Sequence, residues 1–193
     1  MADNNKKISE IEKALSGSLY NANDDELIKM RMKCKDLCFE YNSLKPSNLK
    51  ERVRVIKELF DSIGENFVIE QPFFCDYGKN ITVGDNLFIN HNCVILDCNK
   101  VTIGNNVFIA PNCGLYTAGH PLEYKIRNTG LEYAKPITIG DNVWIGANTA
   151  ILGGVCIGSG SVIGAGSVVK NDIPPNVLAF GNPCKVIKNI NNT

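Results

Sequence analysis

Two histidines occur among the 193 residues, His91 and His120. Imidazole is the one side chain whose unperturbed charge changes near neutral pH. His120 stands in Thr117-Ala-Gly-His120-Pro-Leu-Glu, at the head of a segment, roughly residues 117–136, that interrupts an otherwise regular repeat. A histidine held there can take a proton from a reacting group and return it. Glu132 lies on the same segment, where a carboxylate can orient an imidazole; without that partner it reads as a solvated charge. His91, between Asn90 and Asn92, falls in the middle of a repeat unit and reads as an outward-facing residue. Two histidines exclude a three-histidine zinc site within one chain, and no close Cys/His cluster in the sequence replaces it. The eight cysteines, at 34, 38, 75, 93, 98, 113, 156 and 184, include no C-x-x-C pair. They read as reduced thiols used as small apolar residues, with Cys34 and Cys38 one turn apart on a helix as core packing.

What must position His120 is a repeat. Ile139, Ile145, Ile151, Ile157, Ile163 and Val169 fall at consecutive steps of six. The same frame runs upstream through Val83, Ile89 and Ile95, then Ile103, Ile109 and Leu115, with Ile69 and Cys75 before them. Glycine follows most of the later members, and Val143, Thr149, Val155, Ser161, Ser167 and Ile173 hold the fifth position. A helix needs a period of 3.6 and a hairpin array needs alternation with turn pairs; neither fits, whereas stacked β-helix coils do. Three hexads make one coil, each with an apolar side chain pointing into a triangular prism. Coils stack at about the 4.8 Å strand spacing, and several must stack with capped ends, because no coil buries its own interior. Cys75, Ile95 and Leu115 are each twenty residues apart, so they belong to one face. The eight-residue steps after Cys75 and Ile95, and the twenty-four-residue step after Leu115, therefore leave the prism at one corner. A long excursion from a compact repeat is usually functional.

Residues 8–60 read as helical. Ser9-x-x-Glu12 reads as a capping box, with Ile8, Ile11 and Leu15 on one face. Asn23 precedes Asp24, Asp25 and Glu26, which suit a helix N-terminus. Leu27, Met30, Cys34, Leu37, Cys38 and Tyr41 then make an apolar stripe. Pro46-Ser47 ends that helix and caps the next, whose buried face is expected at Leu49, Val53, Ile56 and Phe60. Twenty basic and twenty acidic residues give zero formal net charge, which argues against a polyanion-binding protein. No apolar run approaches the ~18–20 residues of a membrane span. The polar start, Met1 to Lys7, has no signal-peptide core and predicts a cytoplasmic protein, in which the acceptor motif Asn191-Asn192-Thr193 has no glycosylation to receive. The expected organisation is a helical segment over 1–63, a β-helix over 64–180 with an active-site loop at 117–136, and a tail over 181–193.

Several segments resemble the maltose/galactoside O-acetyltransferases: Pro72-Phe-Phe-Cys-Asp76-Tyr-Gly, Asn90-His-Asn-Cys-Val-Ile-Leu-Asp97, Thr117-Ala-Gly-His120-Pro-Leu, Asn142-Val-Trp144-Ile-Gly and Gly181-Asn-Pro-Cys-Lys-Val-Ile. The entry Gly17-Ser-Leu-Tyr20-Asn-Ala-Asn-Asp24-Asp-Glu-Leu is similar too, so the resemblance spans nearly the whole chain. It implies a mainly β protein, a left-handed parallel β-helix of hexapeptide repeats with an N-terminal helical segment. It implies His120 as general base, Glu132 orienting it, and Asp76 and Asn90 on the acceptor side. It places Trp144, Ala147, Ala165, Gly166, Lys170, Lys185 and Lys188 on the coenzyme A side, with acetyl-CoA as co-substrate and no metal. A homotrimer with active sites between neighbouring prisms is implied as well. Ala22 and Cys98 stand where some members carry acidic residues, and Lys185 and Lys188 where some carry arginine, which keeps the charge but loses the bidentate fork.

The chemistry this implies is transfer of an acetyl group to a hydroxyl of a sugar such as maltose, glucose or a galactoside. A related acyltransferase acting on an amine or an antibiotic is the alternative. A γ-type carbonic anhydrase shares the prism but needs three zinc histidines. An ice-binding β-helix needs threonine ladders, whereas the small positions here mix Val, Thr and Ser. A purely structural module would have no use for a histidine-bearing loop at a corner.

Overall fold

A computed structural model describes residues 8–191; the polar start and the last two residues of the Asn191-Asn192-Thr193 motif lie outside the described residues. Helix α1 (Glu10–Leu15) begins with the expected capping box: Glu12 N donates to Ser9 Oγ at 3.2 Å, and Ser9 N donates to the Glu12 carboxylate at 2.8 Å. It is short and buries Ala14, while Ile8 and Leu15 stay exposed. Of the expected apolar face only Ile11 packs inward, beside Ala14. Tyr20–Asn21, read as part of a helical region, is a short strand.

Helix α2 (Asp25–Ser43) is capped by Asp24, one residue after the expected Asn23, with Glu26 N donating to Asp24 Oδ1 at 3.0 Å. Its stripe of Leu27, Cys34, Cys38 and Tyr41 is buried as expected. Helix α3 (Leu49–Leu59) starts from Asn48, not from Pro46-Ser47. Its buried face is also rotated from the expected one. Arg52, Val55, Ile56 and Leu59 are buried, whereas Leu49 and Val53 are 66% and 39% exposed. The reason is polar. The Arg52 guanidinium donates to the Ile69 carbonyl at 2.6 Å and pairs with Glu70 at 3.1 Å, so α3 turns Arg52 toward the first coil and swings Leu49 out. No helix among the described residues is long and apolar enough to cross a membrane.

The hexads form a parallel β-helix of three sheets. Its inner ladders follow the sequence frame. Cys75, Ile95, Leu115, Ile151 and Val169 align on one face. Val83, Ile103, Ile139 and Ile157 align on the second, and Ile69, Ile89, Ile109, Ile145 and Ile163 on the third. Every one of these side chains is buried, each contributing on the order of 1.5–3 kcal/mol. The small fifth positions also point inward. Thr149 and Ser167 are buried hydroxyls donating to the Gly146 and Gly164 carbonyls, at 2.7 and 2.5 Å, which removes the cost of burying them.

The corners turn on asparagine. Asn66, Asn86, Asn106 and Asn142 all have φ of 55–59°, a region that asparagine tolerates better than most residues. Their amides form a ladder, each Nδ2 donating to the next Oδ1 at 2.9–3.3 Å. The tail is tied down too: Lys185–Asn189 pairs antiparallel with Val177–Phe180.

Candidate active site

The three excursions leave the prism after strands Phe73–Cys75, Cys93–Leu96 and Gly114–Tyr116, at one corner as expected. The long one is more ordered than a plain loop. Ala118–Gly119 pairs antiparallel with Leu131–Ala134, which pairs on its other edge with Tyr20–Asn21, and helix α4 (Tyr124–Arg127) fills the tip. Buried Asn99 fastens this hairpin to the prism: its amide donates to the carbonyls of Ala14 and Ala134 at 2.9 and 3.0 Å, and Thr117 Oγ1 accepts from its backbone N–H at 3.0 Å.

This arrangement brings His120 and Glu132 together. His120 Nε2 lies 3.9 Å from Glu132 Oε1, and the histidine side chain is 54% exposed, open to a ligand. The other carboxylate oxygen, Oε2, accepts a 2.8 Å hydrogen bond from the Tyr20 hydroxyl. Tyr20 is buried, and burial together with the neighbouring Cys98 and Glu132 pushes its hydroxyl well above the usual tyrosine value, so it stays a neutral donor. Two strand residues and one loop residue thus form a chain: tyrosine, carboxylate, imidazole. A cavity of about 340 Å³ adjoins the root of the hairpin, lined by Ala118, Gly119, Tyr133 and Lys170 among others.

Asp76 lies at the same corner, on the first excursion. Burial raises its carboxyl above the ordinary value, and Cys98 Sγ donates to it at 3.4 Å. Arg31 donates to the Tyr77 hydroxyl at 2.7 Å and to the Ala22 carbonyl at 2.6 Å. The two departures from the family pattern, Ala22 and Cys98, therefore both sit in the Asp76 cluster. Beneath them Asp97 accepts from the backbone N–H groups of Asp76 and Tyr77 at 3.0 and 2.8 Å, and of Asn80 at 3.3 Å. Burial pushes its carboxyl up to about 7.

Asn90 is on another corner. It follows Ile89 as Ala110 follows Ile109 and Gly146 follows Ile145, and its Oδ1 accepts from His91 N at 2.7 Å. Ala147, Ala165 and Gly166 share that corner; Gly166 N donates to the Ala147 carbonyl at 2.8 Å. Gly166 has φ of 72° and an added Cβ there would meet nothing within 4 Å, so this backbone is open to a ligand. On the adjoining sheet, Phe108, Trp144, Val162, Leu178 and Lys188 align in one outer row, with Trp144 55% exposed. Lys185 and Lys188 are exposed on the last strand, and Lys170 stands by the hairpin cavity. His91 is exposed and its Nδ1 lies 2.6 Å from the Gln71 carbonyl. The sequence reading missed Tyr20, Arg31, Asp97 and Asn99; the eight-residue steps that hold Asp97 and Asn99 were the available signal.

The sequence and the fold are shared with known proteins. A maltose acetyltransferase hexapeptide capping motif matches residues 13–64, and a bacterial transferase hexapeptide motif of six repeats matches 136–171. A Saccharomyces cerevisiae protein named "Putative acetyltransferase YJL218W" is 58% identical, with 93% of this chain and 92% of that protein covered. The chain belongs to the maltose/galactoside O-acetyltransferase family. A maltose O-acetyltransferase from Clostridium difficile 630 superposes with a TM-score of 0.94 at 49% identity, covering 95% of this chain and 98% of that one. A galactoside acetyltransferase in complex with coenzyme A gives 0.91 at 47% identity, covering 94% and 90%. As a member of this family the protein is an acetyltransferase of the hexapeptide-repeat type.

Proposed function

We propose that the protein transfers the acetyl group of acetyl-CoA to a hydroxyl of a sugar such as maltose, glucose or a galactoside, in the cytoplasm and as a homotrimer. The observation that carries this reading is the Tyr20–Glu132–His120 chain on the corner hairpin. A sugar hydroxyl is a poor nucleophile at neutral pH. His120 takes its proton as the oxygen attacks the thioester carbonyl, an effect worth about 10²–10⁴ in rate. Glu132, fixed through one oxygen by Tyr20, stabilises the imidazolium through the other. Backbone N–H groups at the open corner stabilise the tetrahedral oxyanion, and its collapse expels the coenzyme A thiolate, which takes the proton back from His120. Asp76 and Asn90 bind the acceptor. Trp144, Ala147, Ala165, Gly166, Lys170, Lys185 and Lys188 bind the coenzyme, the lysines meeting its phosphates. Residues 8–63 close the first coil and supply Tyr20, 64–180 carry the general base, and 181–191 reach the donor side.

Support for a site between subunits comes from the placement of these residues. His120 and Asp76 leave one corner of the prism, whereas Asn90, Ala147 and Gly166 lie on the next, a full face away. At ~3.3 Å per residue that face is roughly 15–20 Å wide, so the hairpin of one chain meets the donor corner of another more readily than its own. Thiol release from acetyl-CoA, measured with maltose, glucosides, galactosides and amines, tests the reading. Release that depends on a sugar, with acetyl found on its oxygen, supports it; turnover with amines alone overturns it.

A further inference from the structure

Sequence spacing shows no close cluster of metal-ligating side chains, but the fold brings three thiols together. Cys34 and Cys38 stand one turn apart on the buried stripe of α2, and Cys75 ends the strand of the first coil against which that stripe packs. Cys34 Sγ is 3.5 Å and Cys38 Sγ 3.9 Å from Cys75 Sγ, and all three sulfurs lie within 4.8 Å of one another. Thiolates bound to one zinc ion at ~2.3 Å in tetrahedral geometry stand about 3.8 Å apart. The sulfurs already have nearly that spacing, with the three residues buried and none in a disulfide.

Among the described residues no other group of three thiols converges in this way. Cys93 and Cys113, one coil apart, each donate to a backbone carbonyl, of Ala110 at 3.3 Å and of Gly146 at 3.2 Å. Cys34 Sγ also donates to a backbone carbonyl, that of Cys75 at 3.3 Å, but it and Cys38 both have the Cys75 sulfur within reach as well. The cluster is also reachable. Cys38 and Cys75 line a cavity of about 580 Å³ with Lys35, Asn42, Ser43 and Asp76. On the other side Cys34 lines a cavity of about 70 Å³ with Lys33 and Lys79. Three thiolates and one divalent ion leave a single negative charge, and a lysine borders the cluster through either cavity.

We propose that Cys34, Cys38 and Cys75 bind one zinc ion as three thiolates, with the fourth position open to the larger cavity, and that this ion clamps α2 to the first coil. The site has no part in acetyl transfer. Soft thiolate donors select zinc over the hard cations, and an ion bound only by the docked helix stabilises the docked state.

The test uses the full-length reduced protein. Incubated with zinc and then dialysed, it should retain about one zinc per chain by elemental analysis and melt at a higher temperature than the chelator-treated protein. Cobalt(II) in place of zinc should give sulfur-to-cobalt charge-transfer absorption. Cys38→Ser and Cys38→Ala should lose both signals while keeping the native circular dichroism; Cys93→Ser and Cys156→Ser should keep both. Wild-type protein that holds no stoichiometric zinc or cobalt overturns the proposal. So does binding that survives in Cys38→Ser, follows Cys156, or occurs with copper(I) alone.

Discussion

Tyr20 has the least conspicuous part in the proposed catalytic corner and the clearest geometric one. Its hydroxyl uses one Glu132 oxygen, at 2.8 Å, and leaves the other facing His120 Nε2. His120→Ala should lower kcat by about 10²–10⁴ with acetyl-CoA affinity nearly unchanged, and the melting temperature should barely move because the side chain is half exposed. His91→Ala, on the donor-side corner, is the matched control and should keep most activity; a dead His91→Ala beside an active His120→Ala would sink the mechanism. Tyr20→Phe removes a hydrogen bond to a charged group, worth about 1.5–3 kcal/mol. It should cost kcat roughly tenfold or more and change the pH profile of kcat, a change that mere loss of packing would not make. Asp97 gives a prediction of opposite character. Its carboxyl titrates at about 7 when folded, against an ordinary 3.8, so between those values the folded chain holds a proton that the unfolded chain has released. Stability from this group is therefore full below about pH 4, falls as pH rises, and is gone above pH 7. Three pH units at ~1.4 kcal/mol each set an upper bound of about 4 kcal/mol. The stability difference between wild type and Asp97→Asn should shrink from pH 4 to pH 7 in denaturant titrations; a difference independent of pH would refute the assignment.

At the scale of elements, the corner asparagines do what glycine does in many turns. Asn106 has φ of 55° and both accepts from Asn86 and donates to Asn142 along the ladder. Asn106→Ala should destabilise by about 1–3 kcal/mol, combining ~1–2 kcal/mol of left-handed strain with the lost amide bonds. Asn106→Gly loses the bonds but not the conformation and should cost clearly less. Equal effects in equilibrium unfolding would show that backbone strain is not what asparagine relieves. The same contrast explains what the sequence made legible. The inner ladder could be read because each apolar residue answers to its own coil, and a strict period of six reports that directly. The common corner of the excursions could be read for the same reason, from steps of twenty. The α3 face could not, because Arg52 is drawn inward by a carbonyl and a carboxylate on residues 69 and 70 that no local period reveals. Nor could the pairing of Tyr20 with Glu132, 112 residues apart, which depends on a strand of two residues at the edge of the hairpin.

At the scale of the molecule, one chain divides the proposed site residues between two corners of a prism. His120, Glu132 and Asp76 stand where the excursions leave; Asn90, Ala147, Ala165 and Gly166 stand on the neighbouring corner, with Trp144 on the sheet that leads to it. Exposed Phe74, Phe108 and Trp144 add large apolar area to the outer faces, at 49%, 53% and 55% exposure. A cyclic assembly in which each hairpin meets the donor corner of the next chain solves both problems through one heterologous interface, and the proposed trimer is such a closed ring. Light scattering under assay conditions should therefore give three times the monomer mass. A stronger test mixes two inactive variants, His120→Ala and one with the donor corner filled, such as Gly166→Trp. If each site takes its histidine from one chain and its donor corner from the next, co-refolded mixtures should regain a substantial fraction of wild-type activity, because some interfaces join an intact hairpin to an intact corner. A monomer that turns over sugars at the full rate, or mixtures as inactive as their components, would place the whole site within one chain and refute the assembly.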